Sequence, residues 1–255
     1  MSDALATGLA THRNKMRPYP PPFKTGLVGW WDAADLSTIT ESGGKVSQFD
    51  DKSGLGNHLV QGTGANQPST GLVTRNSLNT LYFAGGNNAV GSWIRKLGFN
   101  QTSAQEFFVV FQPYSTQPLG GIAGLWSADN DRGNVRRASA AGLRFRYNND
   151  VVIPGAPGDK NELGHQTGEW NPNGTIGSVV TDLDIANDVW SRVHMTRGNP
   201  DSGGSVYTTF RLGGDKVAGG RHLRFDFAEL LIYNQTLTTA ERAETDLYLR
   251  LKWAL

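Results

Sequence analysis

The segment Phe225-Asp-Phe-Ala-Glu-Leu-Leu-Ile-Tyr-Asn234, followed by Leu237-Thr-Thr-Ala-Glu-Arg242, constrains the fold of this chain more than any other. It reads as a long, largely apolar strand that runs through a short turn into a helix. Thr238 and Glu241 have the S/T-x-x-E spacing of a capping box, in which each side chain satisfies a free backbone N–H at the helix start. Ala240, Ala243, Leu247 and Leu251 then form one stripe at helical period, the pattern of a face turned toward a core. Trp253 is expected to tuck against the body. Such a unit fixes where the core ends.

Upstream of it the chain reads as a series of short strands. Gly is 32 of 255 residues, against an average usage of about 7%, and aromatics make up 10%. Glycine supplies tight turns and aromatics suit pleated, half-buried surfaces, so an all-β domain is expected. Lys45–Asp50 alternates between Gly43-Gly44 and Ser53-Gly54, and Thr80–Phe83 precedes Gly85-Gly86. Glu106–Gln112 is continuously apolar inside its polar ends and should be covered on both faces. Leu143, Phe145 and Tyr147 alternate with Arg144 and Arg146. Val189–Met195 and Val206–Leu212 are two more strands, with Gly198–Gly204 between them as a Gly-rich hairpin loop. The region Ser127–Asp188 is rich in loop residues, where elaborations of a scaffold collect.

Residues 1–25 stand apart. Arg13, Lys15, Arg17 and Lys24 against Asp3 give a formal +3, and Pro18, Pro20, Pro21 and Pro22 hold the segment before Lys24 extended. Two readings stand side by side: a frayed terminus, or a basic, Pro-rich arm that docks on a neighbouring subunit, with Arg13, Lys15 and Arg17 as charges and Tyr19 and Phe23 as anchors. Residues 26–255 would be one domain.

Composition removes several kinds of chemistry. The chain has no cysteine, which excludes thiolate catalysis and Cys-ligated zinc. A net charge of +1 gives no field that would gather nucleic acid. No apolar run approaches the roughly 18–20 residues that cross a bilayer, and the first ten residues make a poor secretory signal. Pro200-Asp-Ser-Gly-Gly204 resembles a serine-protease nucleophile segment, but no upstream histidine segment accompanies it. His12, His58, His165, His194 and His222 are scattered, without a chelating pair on one helix. No phosphate-cradling loop occurs. Glu229, on one parity of its strand with Phe227 and Leu231, has no second carboxylate at a spacing suited to glycoside hydrolysis and reads as a structural acceptor. Asp50, Asp51 and Asn57 form an oxygen-rich turn. Calcium is the alternative there to loop-bracing hydrogen bonds, which Lys52 and the absence of an alternating ligand pattern favour. No catalytic residue and no cofactor are expected.

Trp30-Trp-Asp-Ala-Ala-Asp35, Val46–His58 and Leu81-Tyr-Phe83 at one end, with Phe227–Asn234, Leu237–Arg242 and Tyr248–Trp253 at the other, resemble the opening and closing of laminin-G-like, concanavalin A-like jelly-roll domains. The resemblance spans residues 26–255, the middle only as strands. It implies a two-sheet antiparallel sandwich with a short C-terminal helix behind an extended N-terminal arm. The scaffold hosts lectins, glucanases and structural modules, so it does not name a function. Versions most similar to this one occur in bacteriophage and bacterial proteins. A single jelly roll behind a basic arm looks like a non-enzymatic virion component, a capsid decoration or tail protein made in the host cytoplasm. Its expected partners are capsid or tail proteins or copies of itself. The alternative is a carbohydrate-binding module, with Trp170 and Asn171 or Tyr147 and Asn149 meeting a surface glycan.

Overall fold

The apolar runs and turn signals resolve into fifteen strands and one helix in a computed structural model that describes residues 24–86, 91–101, 105–114, 120–127, 130–137, 143–146, 176–181, 190–197, 207–214 and 222–255. In the first half these are β1 (Leu27–Asp32), β2 (Ile39–Ser42), β3 (Lys45–Phe49), β4 (Leu59–Val60), β5 (Ser69–Arg75), β6 (Leu78–Phe83), β7 (Ile94–Gln101) and β8 (Gln105–Pro113). There follow β9 (Gly120–Ser127), β10 (Asn130–Arg137), β11 (Leu143–Arg146), β12 (Ile176–Thr181), β13 (Ser191–Arg197), β14 (Tyr207–Leu212), β15 (Phe225–Tyr233) and helix α1 (Thr239–Trp253).

All pairings are antiparallel, and they build the two layers of a jelly-roll sandwich. One layer runs β12-β13-β8-β15 and continues through β6 to β5; the other runs β11-β10-β9-β14-β7-β4-β3, with β2 on β3. The layers are joined by little: one residue pair, Lys45 with Ser69, links β3 to β5. Side chains of both layers interlock between them. Trp31 stacks on Phe210 at 5.1 Å between ring centroids, and Phe49 meets Phe227 edge-on at 6.0 Å. Gly29 makes room for this packing, because a Cβ there would lie 2.4 Å from the Trp31 ring.

Strand β15 is buried along its whole length. Its edges explain why. β8 pairs along one edge, while the other is shared by β6, opposite Phe225–Phe227, and by β1, opposite Glu229–Tyr233. The register against β8 shifts between Phe227 and Glu229. This bulge corrects the sequence reading of Glu229. Phe227 points into the sandwich with Phe225, Leu230 and Ile232, whereas Leu231 points to the opposite face with Ala228 and Tyr233. The extra residue breaks the period of two, so Phe227 and Leu231 do not share a face. β8 behaves as expected for a strand covered twice: Phe107, Val109 and Phe111 face inward, Phe108 and Val110 outward.

Helix α1 lies on that outer face. Its capping box is present in both directions, with the Glu241 N–H donating to Thr238 Oγ1 and the Thr238 N–H donating to Glu241 Oε2. Trp253 is fully buried. The stripe expected to face the core does the opposite. Leu247 is 54% exposed and Leu251 68%, and Ala240 and Ala243 are exposed too. The buried face is Thr245, Tyr248, Leu249, Lys252 and Trp253, because the surface beneath the helix contains buried carboxylates that need donors.

One further expectation is corrected. β13 pairs with β8 and β12, while β14 pairs with β7 and β9, so the two strands are not hairpin partners; residues 198–204 between them lie outside the described residues. Within the region read as loop-rich, the described residues include β10, β11 and β12, whose pairings with β9 and β13 carry register shifts; most of Ser127–Asp188 lies outside the described residues. Backbone pairing there tolerates a sequence as polar as Asn-Asp-Arg-Gly-Asn-Val-Arg-Arg.

Candidate functional site

The outer face of the β6–β15–β8–β13 layer has two halves. Under α1, carboxylates hold the helix. Glu229, with no exposed surface, accepts four hydrogen bonds: Trp30 Nε1 (2.7 Å) and Tyr248 Oη (2.8 Å) at Oε1, Lys252 Nζ and Trp253 Nε1 (2.8 Å each) at Oε2. Burial and the neighbouring Asp32 push its pKa up, and the Lys252 ammonium opposes them. Trp30, Lys252 and Trp253 can only donate, so three of the four contacts suit the ionised form. Lys252 Nζ also pairs with Asp32 at 2.6 Å.

At the helix start, buried Glu106 accepts from the Leu237 N–H (2.7 Å), from the Arg242 guanidinium (2.6 to 3.0 Å) and from His194 Nε2 (2.7 Å). Burial alone would raise the Glu106 pKa, but His194, Arg242 and the Leu237 N–H hold it below the usual carboxylate range. His194 is stacked on Phe108 at 4.2 Å. At the helix end, Arg75 donates to the Trp253 and Ala254 carbonyls and Asn76 Nδ2 to that of Lys252, so the two-residue β5–β6 turn caps α1. In these clusters the carboxylates are buried and saturated by donors from the helix and around it, the geometry of a brace.

The other half, beyond the end of α1, is differently built. Asp226 pairs across the sheet with Tyr82 on β6 and with Gln112 on β8. One step further, the Tyr114 N–H donates to the Arg224 carbonyl. Strand alternation therefore puts Tyr82, Tyr114, Arg224 and Asp226 on one face. The tyrosine rings meet edge to face, 6.4 Å between centroids, and the Arg224 guanidinium lies over both, 4.5 Å from the Tyr114 centroid and 5.6 Å from that of Tyr82. Tyr114 Oη donates to Asp226 Oδ2 at 2.6 Å. Asp226 is 0% exposed, yet its Oδ1 has no hydrogen-bond partner, and neither has Arg224 Nε. Tyr82, Tyr114 and Arg224 are half-buried.

Burial raises the Asp226 pKa, an effect that the Tyr114 hydrogen bond and the Arg224 charge offset only in part. Burial likewise pushes the Tyr114 hydroxyl well above its usual range, with Asp226 adding to the shift. The chemistry here is that of a polar recognition face: ring surface, one donor and one acceptor left over. Nothing in the sequence marks it, because Tyr82 on β6, Asp226 on β15 and Tyr114 just past β8 become neighbours only through register.

The residues singled out from sequence fare differently. Asp50, Asp51 and Asn57 do share one turn. Asp51 Oδ1 accepts from the Trp30 and Ser53 N–H groups, and its Oδ2 from Ser53 Oγ and the Asn57 N–H, all between 2.6 and 2.9 Å. Asn57 Nδ2 donates to the Val28 carbonyl, and Asp50 accepts from Gln48. With two donors on each oxygen, Asp51 serves as a brace between this turn and β1. Among the described residues, no three His, Asp or Glu side chains are placed to hold a metal ion. Arg13, Lys15, Arg17, Tyr19 and Phe23 lie outside the described residues, as do Tyr147, Asn149, Trp170 and Asn171.

No protein-family model matches the chain, and no curated protein sequence matches it. Solved structures resemble it in fold. Trypanosoma rangeli sialidase in complex with sialic acid superposes with a TM-score of 0.52 at 17% identity, over 92% of this chain and 34% of the sialidase. An arabinofuranosidase complexed with arabinofuranosyl-alpha-1,2-xylobiose gives a TM-score of 0.50 at 11% identity, over 89% of this chain and 59% of that one. The chain thus spans about a third of the sialidase. Likeness at this identity concerns the β-sandwich alone. Both neighbours are enzymes, so the comparison does not argue against catalysis.

Proposed function

We propose that the protein is a non-enzymatic display module of a bacteriophage virion, a capsid decoration or tail component anchored through residues 1–25. The observation that carries this reading is the use made of the buried carboxylates. Glu106, Glu229, Asp32 and Asp51 all accept hydrogen bonds or ion pairs that tie one element to another. A rigid, braced sandwich behind a basic arm suits docking and display.

The position of the first described residues supports it. The Gly26 carbonyl accepts from the Asn234 N–H, so the domain begins beside the end of β15. Asp226 lies seven residues back along that strand, about 23 Å away at the usual rise. A domain held by its arm therefore presents the Tyr82–Tyr114–Asp226 face at a distance from the anchor. Deleting residues 1–25 should abolish incorporation into particles while the thermal midpoint of the domain stays the same. Particle occupancy unchanged by the deletion, measured by mass spectrometry of purified virions, would exclude the arm as anchor.

A second reading, a lectin-like module that recognises surface glycans, is compatible with the first. It is favoured by the half-exposed tyrosine pair beside an unsatisfied carboxylate. A glycan array with the full chain tests it.

A further inference from the structure

We propose that the outer sheet face around Asp226 is a binding site for a neutral, hydroxyl-rich ligand, a saccharide, held by Asp226, Arg224 and the rings of Tyr82 and Tyr114. The inference deepens the glycan-binding reading and rests on it for the class of ligand. The site is a different one from the loop residues suggested by sequence.

The argument starts from two atoms. Asp226 Oδ1 can only accept when ionised, and Arg224 Nε–H can only donate; both lack partners, and they belong to side chains two residues apart on one strand face. A cationic ligand would serve Asp226 and be repelled by Arg224. An anionic ligand would serve Arg224 and be repelled by Asp226. A hydroxyl does both, since one oxygen donates its proton and accepts through its lone pairs. Several hydroxyls on a ring whose C–H face can lie on an aromatic side chain describe a sugar, and Tyr82 and Tyr114 supply the aromatic faces.

The guanidinium now rests on those rings. It occupies the place that the apolar face of a sugar would take, and it closes the approach to Asp226. Rotation of the Arg224 side chain off the tyrosines uncovers the rings and the carboxylate together. Tyr114 has a second role as a positioning residue: its hydroxyl fixes Asp226 Oδ2 at 2.6 Å and so turns Oδ1 toward the ligand.

The test uses the full chain and saturation-transfer NMR against soluble oligosaccharides of glucose, galactose, mannose and xylose, with sialylated and sulfated oligosaccharides as anionic controls. Neutral members should bind. Tyr82→Ala should weaken binding about tenfold, the upper end of what one aromatic contact contributes. Asp226→Asn should weaken it as much, because Tyr114 holds the amide oxygen and a donor then faces Arg224. Thermal melts confirm that both variants are folded. Neutral binding that neither variant alters overturns this site and leaves the glycan reading to other residues. Binding of the anionic controls alone overturns the ligand class. Absence of all binding overturns the site and the glycan reading together, leaving solvent as the partner of Asp226.

Discussion

Asp226 and Lys252 are both buried, and their surroundings predict opposite responses to substitution. Burial raises the Asp226 pKa above its ordinary 3.8. An acid with a raised folded pKa destabilises the fold at pH values above that pKa and costs nothing below both values. Asp226→Asn keeps the Tyr114 hydrogen bond and removes the charge. Removing an unsatisfied buried charge is worth at least about 1 kcal/mol, so the melting temperature at pH 7 should rise by about 2–4 °C in a domain of this size. The gain should shrink as pH falls through the raised value toward 3.8, which calorimetry across pH can follow. A gain independent of pH would show that the carboxylate charge is not its source. A buried side chain that lowers stability is more easily understood through binding than through folding.

Lys252 is the reverse case. Its ammonium lies between Glu229 and Asp32, 2.8 and 2.6 Å away. Lys252→Met would leave two buried carboxylates facing each other, and removing one partner of a buried pair costs about 3–5 kcal/mol. Denaturant unfolding measures that loss. A cost below about 1 kcal/mol, the value of an exposed pair, would mean that solvent reaches the cluster.

At the scale of elements, α1 separates what is local from what is not. Its start was legible because a capping box is written in four consecutive residues, Thr238 to Glu241. Its buried face was not. The apolar stripe through Leu247 and Leu251 has the right period, but Glu229, Asp32 and Glu106 beneath the helix attract donors, and Tyr248, Lys252, Trp253 and Arg242 turn toward them instead. Leu249→Ala should therefore cost about 2–5 kcal/mol as a core truncation. Leu251→Ser should stay within about 0.5 kcal/mol, as a surface change does. The reverse order in chemical denaturation would restore the face read from periodicity. β15 teaches the same lesson. Its existence and burial follow from composition, whereas the bulge at Ala228 that puts Phe227 and Leu231 on opposite faces depends on partners in β1, β6 and β8. The face at Tyr82, Tyr114 and Asp226 was illegible for the same reason, since none of the three is marked by its sequence neighbours.

For the whole molecule, the two-layer sandwich and the C-terminal helix were legible from residues near each end of the domain, and β1 and β15 there pair with one another. The order of strands across the layers was not, as the separation of β13 from β14 shows. That end-to-end pairing has a consequence for biosynthesis. β1, which carries Trp30 and Trp31, finds its partner in the described sheet only at Glu229–Tyr233. While a ribosome is still adding the intervening residues, the tryptophans have nothing to pack under and the strand edge is bare, the condition that invites aggregation. The sheet closes only after β15 has emerged. Folding should accordingly be slow, in the millisecond-to-second range of proteins dominated by distant contacts.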